Sequence, residues 1–518
     1  MLSDELPRFI DWENAGLENE ISYQDSVYLG ISQNQDISSI LQDAINMLPP
    51  KSLIIIKNGT YKISKAISLK SDIVIRGESS ENTILTIENG NCFNLSGSLG
   101  KQLTYTELPK ANSDTLMTND ELEVGEFIQV DIENGDWDTN PANWAERSVG
   151  QQFRIIAKPN ETTYILDNKF KFHPDTTLEI RRFTPIQNVQ ISCLQMKREV
   201  QPSSVAYNIS MNYAYNCYVN NIVSLKGDGA QVMLYNSFHC EVKNSFFTDA
   251  FEFTGSGTKG YGVTCASKTS YCKVENNIFK KLRHSMMVKQ GANSNVFSYN
   301  YSIEANRSEP ISDFSGDISV HGHYPFYNLF ESNVVGSIII DHYWGEAGYY
   351  NTFLRNRAEN YGVITTSSEK QSRSQNFIAN ETTKDIIFID EYSVLGEDHL
   401  EIGNRTKTGF KQDTNGVYKY TSFLYPKFKQ LIGSPIEYNS QKILAQTRFE
   451  NANYMDCSYN FTSVKSKLKS NKVIAVYNLL GVELNINSNE IEEIKQELDA
   501  GLYIIKSESE TIKLLIYE

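Results

Sequence analysis

The sequence predicts an all-β chain wound as a parallel β-helix solenoid, and three observations carry that expectation. The first is a short phrase that recurs and always ends in Asn. It reads NCYVNN (Asn216–Asn221), CEVKN (Cys240–Asn244), CKVEN (Cys272–Asn276) and VFSYN (Val296–Asn300), then LFESN (Leu329–Asn333), TFLRN (Thr352–Asn356), NFIAN (Asn376–Asn380) and LEIGN (Leu400–Asn404). The second is spacing: the final asparagines lie 23, 32, 24, 33, 23, 24 and 24 residues apart, whereas helical repeats run to about 33 residues or more. The third is alternation of apolar and polar residues within each phrase, the period of a strand. Units of this size bury their apolar faces by stacking on their neighbours.

The recurring Asn has a physical reason at a tight corner, because it tolerates the left-handed backbone region. Stacked asparagines can also hydrogen-bond along a solenoid. Cys217, Cys240, Cys272, Val296 and Leu329 each stand four residues before the final Asn, and this column is expected to face inward.

Composition narrows the classes. A chain of 518 residues accommodates one long solenoid and accessory domains. A formal charge of −15 argues against nucleic acid as a partner. No apolar run is long enough to span a membrane, and a monomer is expected. The opening MLSDELPRF is too polar for a signal-peptide core, which leaves an intracellular protein or a chain that begins after cleavage. Seven cysteines without paired spacing suggest no disulfide framework; Cys217, Cys240 and Cys272 are expected to pack as small hydrophobes.

In chain order, residues 1–36 read as polar and irregular. Ser38 to Leu48 carries a helical apolar face (Ile40, Leu41, Ala44, Ile45, Leu48), with Asp36 and Ser38 as capping candidates and Pro49-Pro50 as a stop. LIIIKNGTYKIS and SDIVIRG then read as strands, completing a first unit over residues 1–99. Residues 100–186 break the rhythm with ELEVGEFIQVDI, QFRIIAKPN, TTYILDNKF and TLEIRRF, antiparallel strands of a small inserted β-domain. Its loop NGDWDTNPANWAER holds Trp137 and Trp144, which suit either sugar stacking or the domain's own core. The main solenoid covers 187–430, with FTGSGTKGYG and EANRSEPISDFSGD looped out of the two long intervals, the kind of place where binding and chemistry sit. Residues 431–465 read as a linker or trailing strands, and 466–518 as a C-terminal β-sandwich.

Four of the seven histidines, His284, His321, His323 and His342, fall in three consecutive coils. Counted back from each coil's Asn, His284 lies 16 before Asn300, Asp317, His321 and His323 lie 16, 12 and 10 before Asn333, and His342 lies 14 before Asn356. These offsets are even, and alternate strand residues share a face. His284, His321 and His342 are therefore expected on one outer face, within roughly 10 Å of one another at a coil spacing of about 4.8 Å. The odd positions Ser285, Met287, Ile318 and Val320 suit the interior; Asp341 is an odd-offset exception.

Arg283, Lys289, Arg355 and Arg357 come from the same coils. Such a cluster suits an anionic polysaccharide. In β-elimination Arg, Lys or a bound Ca²⁺ offsets the uronate charge, while a base removes the C5 proton and an acid protonates the leaving oxygen. His284, His321, His342, Arg283 and Lys289 are the catalytic candidates. His323, Asp317, Tyr324, Tyr343, Trp344, Glu346, Arg355 and Trp144 are candidates for holding substrate. Three alternatives stay open: a glycoside hydrolase using two of Asp313, Asp317, Asp341 and Glu346; a non-catalytic polysaccharide-binding surface protein; and a transition-metal site built on the HGH segment with His284 or His342.

The capping helix, the Asn-cornered coils, the insertion and the long loops together resemble the pectin-lyase-like superfamily of right-handed parallel β-helix enzymes. The resemblance is architectural: the paired aspartates of polygalacturonases and the Asp-rich calcium motif of pectate lyases are missing, so no catalytic residue carries over. VYNLLGVEL, DAGLYIIK and the terminal KLLI strand resemble the type-A C-terminal sorting domain of the Bacteroidetes type IX secretion system. That resemblance implies engagement of the secretion machinery and a secreted or cell-surface protein.

Overall fold

Each coil turns through three short strands. In one, Tyr218–Asn220 forms face one, Val223–Gly227 face two and Ala230–Tyr235 face three, after which the chain climbs to Glu241–Lys243 and repeats. The computed structural model describes residues 6–255, 257–308, 316–341, 344–365, 372–382, 400–406, 409–410, 442–454 and 457, with the strands Val473–Asn478, Glu483–Leu484, Gly501–Ser507 and Thr511–Ile516. Face one is a parallel ladder of the recurring phrases, in register from Val219 through Val242, Val274, Phe297, Phe330 and Phe353 to Phe377. These side chains fill the solenoid. Phe297, Phe330, Phe353 and Phe377 stack with ring centroids 5.2, 5.1 and 5.0 Å apart. The fold is the parallel β-helix that the phrases predict.

The asparagines do two different jobs. The left-handed corner after face one is occupied by Asn221, Asn244 and Asn276, then by Tyr299, Ser332, Arg355 and Ala379. Lys273 pairs with Val296, so the phrases slip by one residue at this step. From Asn300 onward the recurring Asn is the residue after the corner, buried inside the coil. There it forms a ladder: Asn300 donates from N–H and Nδ2 to Asn333 Oδ1 (3.0 and 2.9 Å), and Asn333 Nδ2 donates to Phe297 O (2.9 Å) and Asn356 Oδ1 (2.9 Å). A second ladder, Asn295–Asn328–Asn351–Gln375, lines the corner before face one.

The same slip reverses part of the inward column. Cys217, Cys240 and Cys272 do face the core, but Val296 and Leu329 face outward, where Trp12 and Ala15 cover them. The N-terminal segment, irregular as expected over residues 6–24, is thus a strap laid along face one. Trp12 is fully buried and donates its indole N–H to Tyr327 O at 2.8 Å. Gly16 passes the sheet at φ +97°, where a Cβ would stand 2.8 Å from both Glu241 and Lys273.

The helix Ser38–Met47 buries Leu41, Ala44 and Ile45, and Asp36 accepts from the Ser38 N–H. The insertion is an antiparallel sheet in the order 98–103, 179–184, 127–131, 150–157, 163–166, 115–117. It packs along the turns between faces three and one, through Phe127 and Phe183 on Tyr213, Tyr215 and Phe238. After residue 431, where a linker or trailing strands are expected, the helix Leu444–Glu450 lies against face two. Its segment's apolar residues Ile443, Ala445 and Phe449 meet Phe246, Ile278, Tyr301 and Val334 there. Cys457 of this segment is disulfide-bonded to Cys193, 264 residues earlier, a pairing that spacing along the chain does not reveal. The C-terminal strands pair antiparallel, and Thr511–Ile516 also runs parallel to Asp25–Leu29. Among the described residues no helix is long and apolar enough to cross a membrane.

The two jobs of Asn predict two outcomes. Asn333→Ala strands several buried partners and should cost about 3 kcal/mol or more in urea unfolding. Asn244→Gly, at a left-handed corner, should stay within about 1 kcal/mol of the parent.

Candidate active site

The site is built on face three, where strands of successive coils stack in a flat, rigid sheet. Register pairs Tyr235 with Ala266 and His321 with Asp341. Cys265 pairs with Val288 and Val288 with Val320, so Lys289 continues the column between Ala266 and His321. The column therefore reads Tyr235, Ala266, Lys289, His321, Asp341. Around it opens a cleft of about 1020 Å³, walled by Trp144, Tyr235, Tyr261, Arg283, Lys289, Gln290, Arg307, His321, Asp341 and Trp344. Both looped-out segments contribute: Gly255, Gly257 and Thr258 come from the first and Arg307 from the second.

Each group in the cleft has a readable environment. His321 Nε2 lies 3.4 Å from Asp341 Oδ2. Burial pushes the imidazole down to about 4, with Asp341 pulling the other way and Lys289 and Arg283 adding to the drop; the ring is neutral at ordinary pH and acts as a hydrogen-bonding group. Burial alone pushes Lys289 down to about 8, and its ammonium sits 5.8 Å from the Trp144 ring centroid. Arg283 Nη1 donates to Tyr261 Oη at 3.2 Å. Trp144 and Trp344 meet edge to face at 5.2 Å, and Trp144 stays 48% exposed.

The insertion delivers Trp144. Its loop is tied to the solenoid by Gln290 Nε2 donating to Trp144 O (2.6 Å), by Lys268 Nζ donating to Arg147 O (3.1 Å), and by His323 Nε2, 3.5 Å from Asp138 Oδ1. Gly291, at φ +69°, permits the approach: a Cβ there would lie 1.7 Å from Ser148 O.

Several candidates from the sequence fall elsewhere. Asp317 does not line the cleft; it is buried, accepting from Ser302 Oγ and from the N–H groups of Gly336 and Ser337, and burial raises it to about 6. His284 is buried beside Tyr261, with Nδ1 2.9 Å from Gly316 O, and burial with Arg283 nearby holds it well below the usual histidine range. His323 is fully buried in the joint between insertion and solenoid, against Trp144, Trp137 and Trp344. Tyr324 packs on Trp137 in the same joint, so the core reading holds for Trp137 and the open one for Trp144. Arg355 sits at the corner after face one, away from the cleft, and Glu346 does not line it. Arg357 lies 3.7 Å from Glu381. His342, Tyr343 and Asp313 lie outside the described residues.

Offset counting fails because the link from face three to the Asn corner varies. Lys289, His321 and Asp341 form one column yet precede Asn300, Asn333 and Asn356 by 11, 12 and 15 residues. Ser285, Ile318 and Val320 do turn inward, but Met287 packs on the outer face with Met233 and Tyr261. Tyr235, Tyr261 and Arg307 carry no signal that sequence reasoning used, although Tyr261 and Arg307 stand in or beside the two looped-out segments. Among the described residues the HGH histidines face different partners: His321 faces Asp341 and His323 faces Asp138.

Fold and cleft together describe a parallel β-helix protein with a cation-bearing, aromatic-walled groove on one lateral face. No family model matches the chain, and no curated protein matches it. Among solved structures it is similar to the tailspike protein gp49 of Pseudomonas phage LKA1, with 15% identity over 67% of this chain and 57% of that one and a TM-score of 0.51. It is also similar to the Pseudomonas phage phi297 tailspike gp61 (11% identity, 74% and 75% covered, TM-score 0.48). A third is the alginate lyase AlyF-OU02 (11% identity, 72% and 61% covered, TM-score 0.39). The first likeness is one of fold, and the match spans little more than half of that tailspike's length.

Gly291→Ala should push the 134–148 loop off the solenoid. Trypsin should then cleave faster at Arg147, while the far-ultraviolet spectrum of the solenoid stays that of the parent.

Proposed function

We propose that the protein cleaves a uronic-acid-containing polysaccharide by β-elimination in the face-three cleft. The observation that carries this reading is the balance of charge in the wall. Arg283, Lys289 and Arg307 converge there, while Asp341, beside His321, is the only carboxylate lining it among the described residues. Hydrolysis calls for two carboxylates flanking the bond, about 5–10 Å apart, so the wall favours elimination.

The chemistry follows from the environments. Arg283 and Arg307 draw charge from the uronate carboxylate, which acidifies the C5 proton. Lys289, desolvated and pushed down to about 8, takes that proton in its neutral form. The bond to the leaving oxygen breaks as the double bond forms, and Tyr261, whose phenolate Arg283 can support, returns a proton to that oxygen. Neutral His321, beside Asp341, orients the sugar by hydrogen bonding. Trp144 and Trp344 offer ring faces for a neighbouring residue of the polymer. Calcium is not needed for the charge balance on this reading, since the arginines supply it. Action outside the cell belongs to the same proposal and rests on the resemblance of the last 50 or so residues to a sorting domain.

The test is ultraviolet absorbance of unsaturated uronate during incubation with pectin, alginate, glycosaminoglycans and ulvan, with and without calcium. Lys289→Ala should lower the rate by about 10²–10⁴-fold. The rate should climb with pH through about 8, because the base works only after losing its proton. Trp144→Ala should weaken polymer binding by roughly tenfold, the worth of one aromatic contact of about 1.5 kcal/mol. New reducing ends without absorbance would replace elimination by hydrolysis at Asp341. Binding without any product would make the chain a polysaccharide-binding protein.

A further inference from the structure

Away from the cleft, Glu18, Asp167 and His239 meet. They come from the N-terminal strap, the insertion and the corner before face one, and one ligand atom of each lies within 4.8 Å of the others. None lines the cleft.

The groups that face one another are acceptors. His239 is buried with Nδ1 3.1 Å from Gly16 O, so the ring proton sits on Nδ1 and Nε2 turns its lone pair toward Glu18 Oε1, 3.3 Å away. A backbone carbonyl that fixes the tautomer in this way is the usual support of a metal-binding imidazole. Asp167 Oδ1 accepts from the Arg154 N–H (3.1 Å), whereas Oδ2 is buried and has no hydrogen-bond partner among the described residues. Glu18 Oε2 is already served by Tyr215 Oη (2.6 Å) and Arg154 Nη2 (2.9 Å), which leaves Oε1 for the cluster. Two carboxylates against one guanidinium leave a negative charge.

We propose that Glu18, Asp167 and His239 hold one divalent transition-metal ion of the zinc class, which clamps strap and insertion onto the solenoid. One imidazole nitrogen with two carboxylate oxygens is a zinc-type donor set and leaves a fourth position for water. Calcium, which takes six to eight oxygens, does not suit it. The ion supplies the charge that the cluster lacks and links residues 149 and 72 positions apart in the sequence. The alternative holder of that charge is a proton on Asp167.

The test uses the full chain stripped with a chelator and titrated calorimetrically with Zn²⁺ alone, with Ca²⁺ and Mg²⁺ in parallel. The expected result is one Zn²⁺ per chain, a thermal midpoint a few degrees higher with Zn²⁺, and no comparable response to Ca²⁺ or Mg²⁺. His239→Gln and Asp167→Asn should each weaken binding by at least about tenfold and abolish the rise. Asp167→Asn is nearly isosteric and mimics the protonated acid, so it carries the test if His239→Gln fails to fold. Absence of Zn²⁺ binding, or binding that survives Asp167→Asn, would overturn the clamp; the first result leaves the proton, the second puts the metal elsewhere.

Discussion

A coil of this solenoid can close only by turning sharply on both sides of face one, and each turn puts a residue in left-handed backbone and frees peptide groups inside the barrel. The ladders of Asn295, Asn328 and Asn351 and of Asn300, Asn333, Asn356 and Asn380 satisfy those groups with side-chain amides that bond at once to the backbone and to the next coil. A buried amide without partners costs about 1–3 kcal/mol, so a coil out of step would lose several such bonds together. Register follows, and register is what stacks Lys289, His321 and Asp341 in one column.

Among the described residues, three of the solenoid's four long surfaces are covered. The strap around Trp12 lies on face one, the helix Leu444–Glu450 on face two, and the insertion along the turns that lead back to face one. Face three carries the cleft. The covers have a second effect, since Val296, Leu329, Leu354 and Ile378 would otherwise present a continuous apolar stripe to solvent.

The insertion also shapes the cleft. A lysine on an open β-sheet keeps its ordinary basicity; Lys289 loses some because it is buried, with the Trp144 ring 5.8 Å from its ammonium. The loop keeps that position through Gln290, Gly291 and His323, groups that lie in or beside the same coils as Lys289 and His321. Cleft-lining and load-bearing residues are thus interleaved along the chain, which is why His323 and Asp317 look like site residues in sequence and serve as packing.

The sequence by itself determined the repeat, the strand phrases, the capping helix and the interruption at the insertion, because each is a local pattern of period, turn residues and spacing. Of the residues it singled out, Arg283, Lys289, His321, Trp344 and Trp144 line one cleft. What only the tertiary structure decided is which way each side chain points. A one-residue slip at Lys273 and Val296 turns the ladder Asn from corner to core and Val296 from core to surface, and links of unequal length scramble any parity counted through a turn. The strap, the Cys193–Cys457 disulfide and the meeting of Glu18 with Asp167 and His239 join residues remote in the chain. No local pattern encodes such contacts, because they exist only once the coils have stacked.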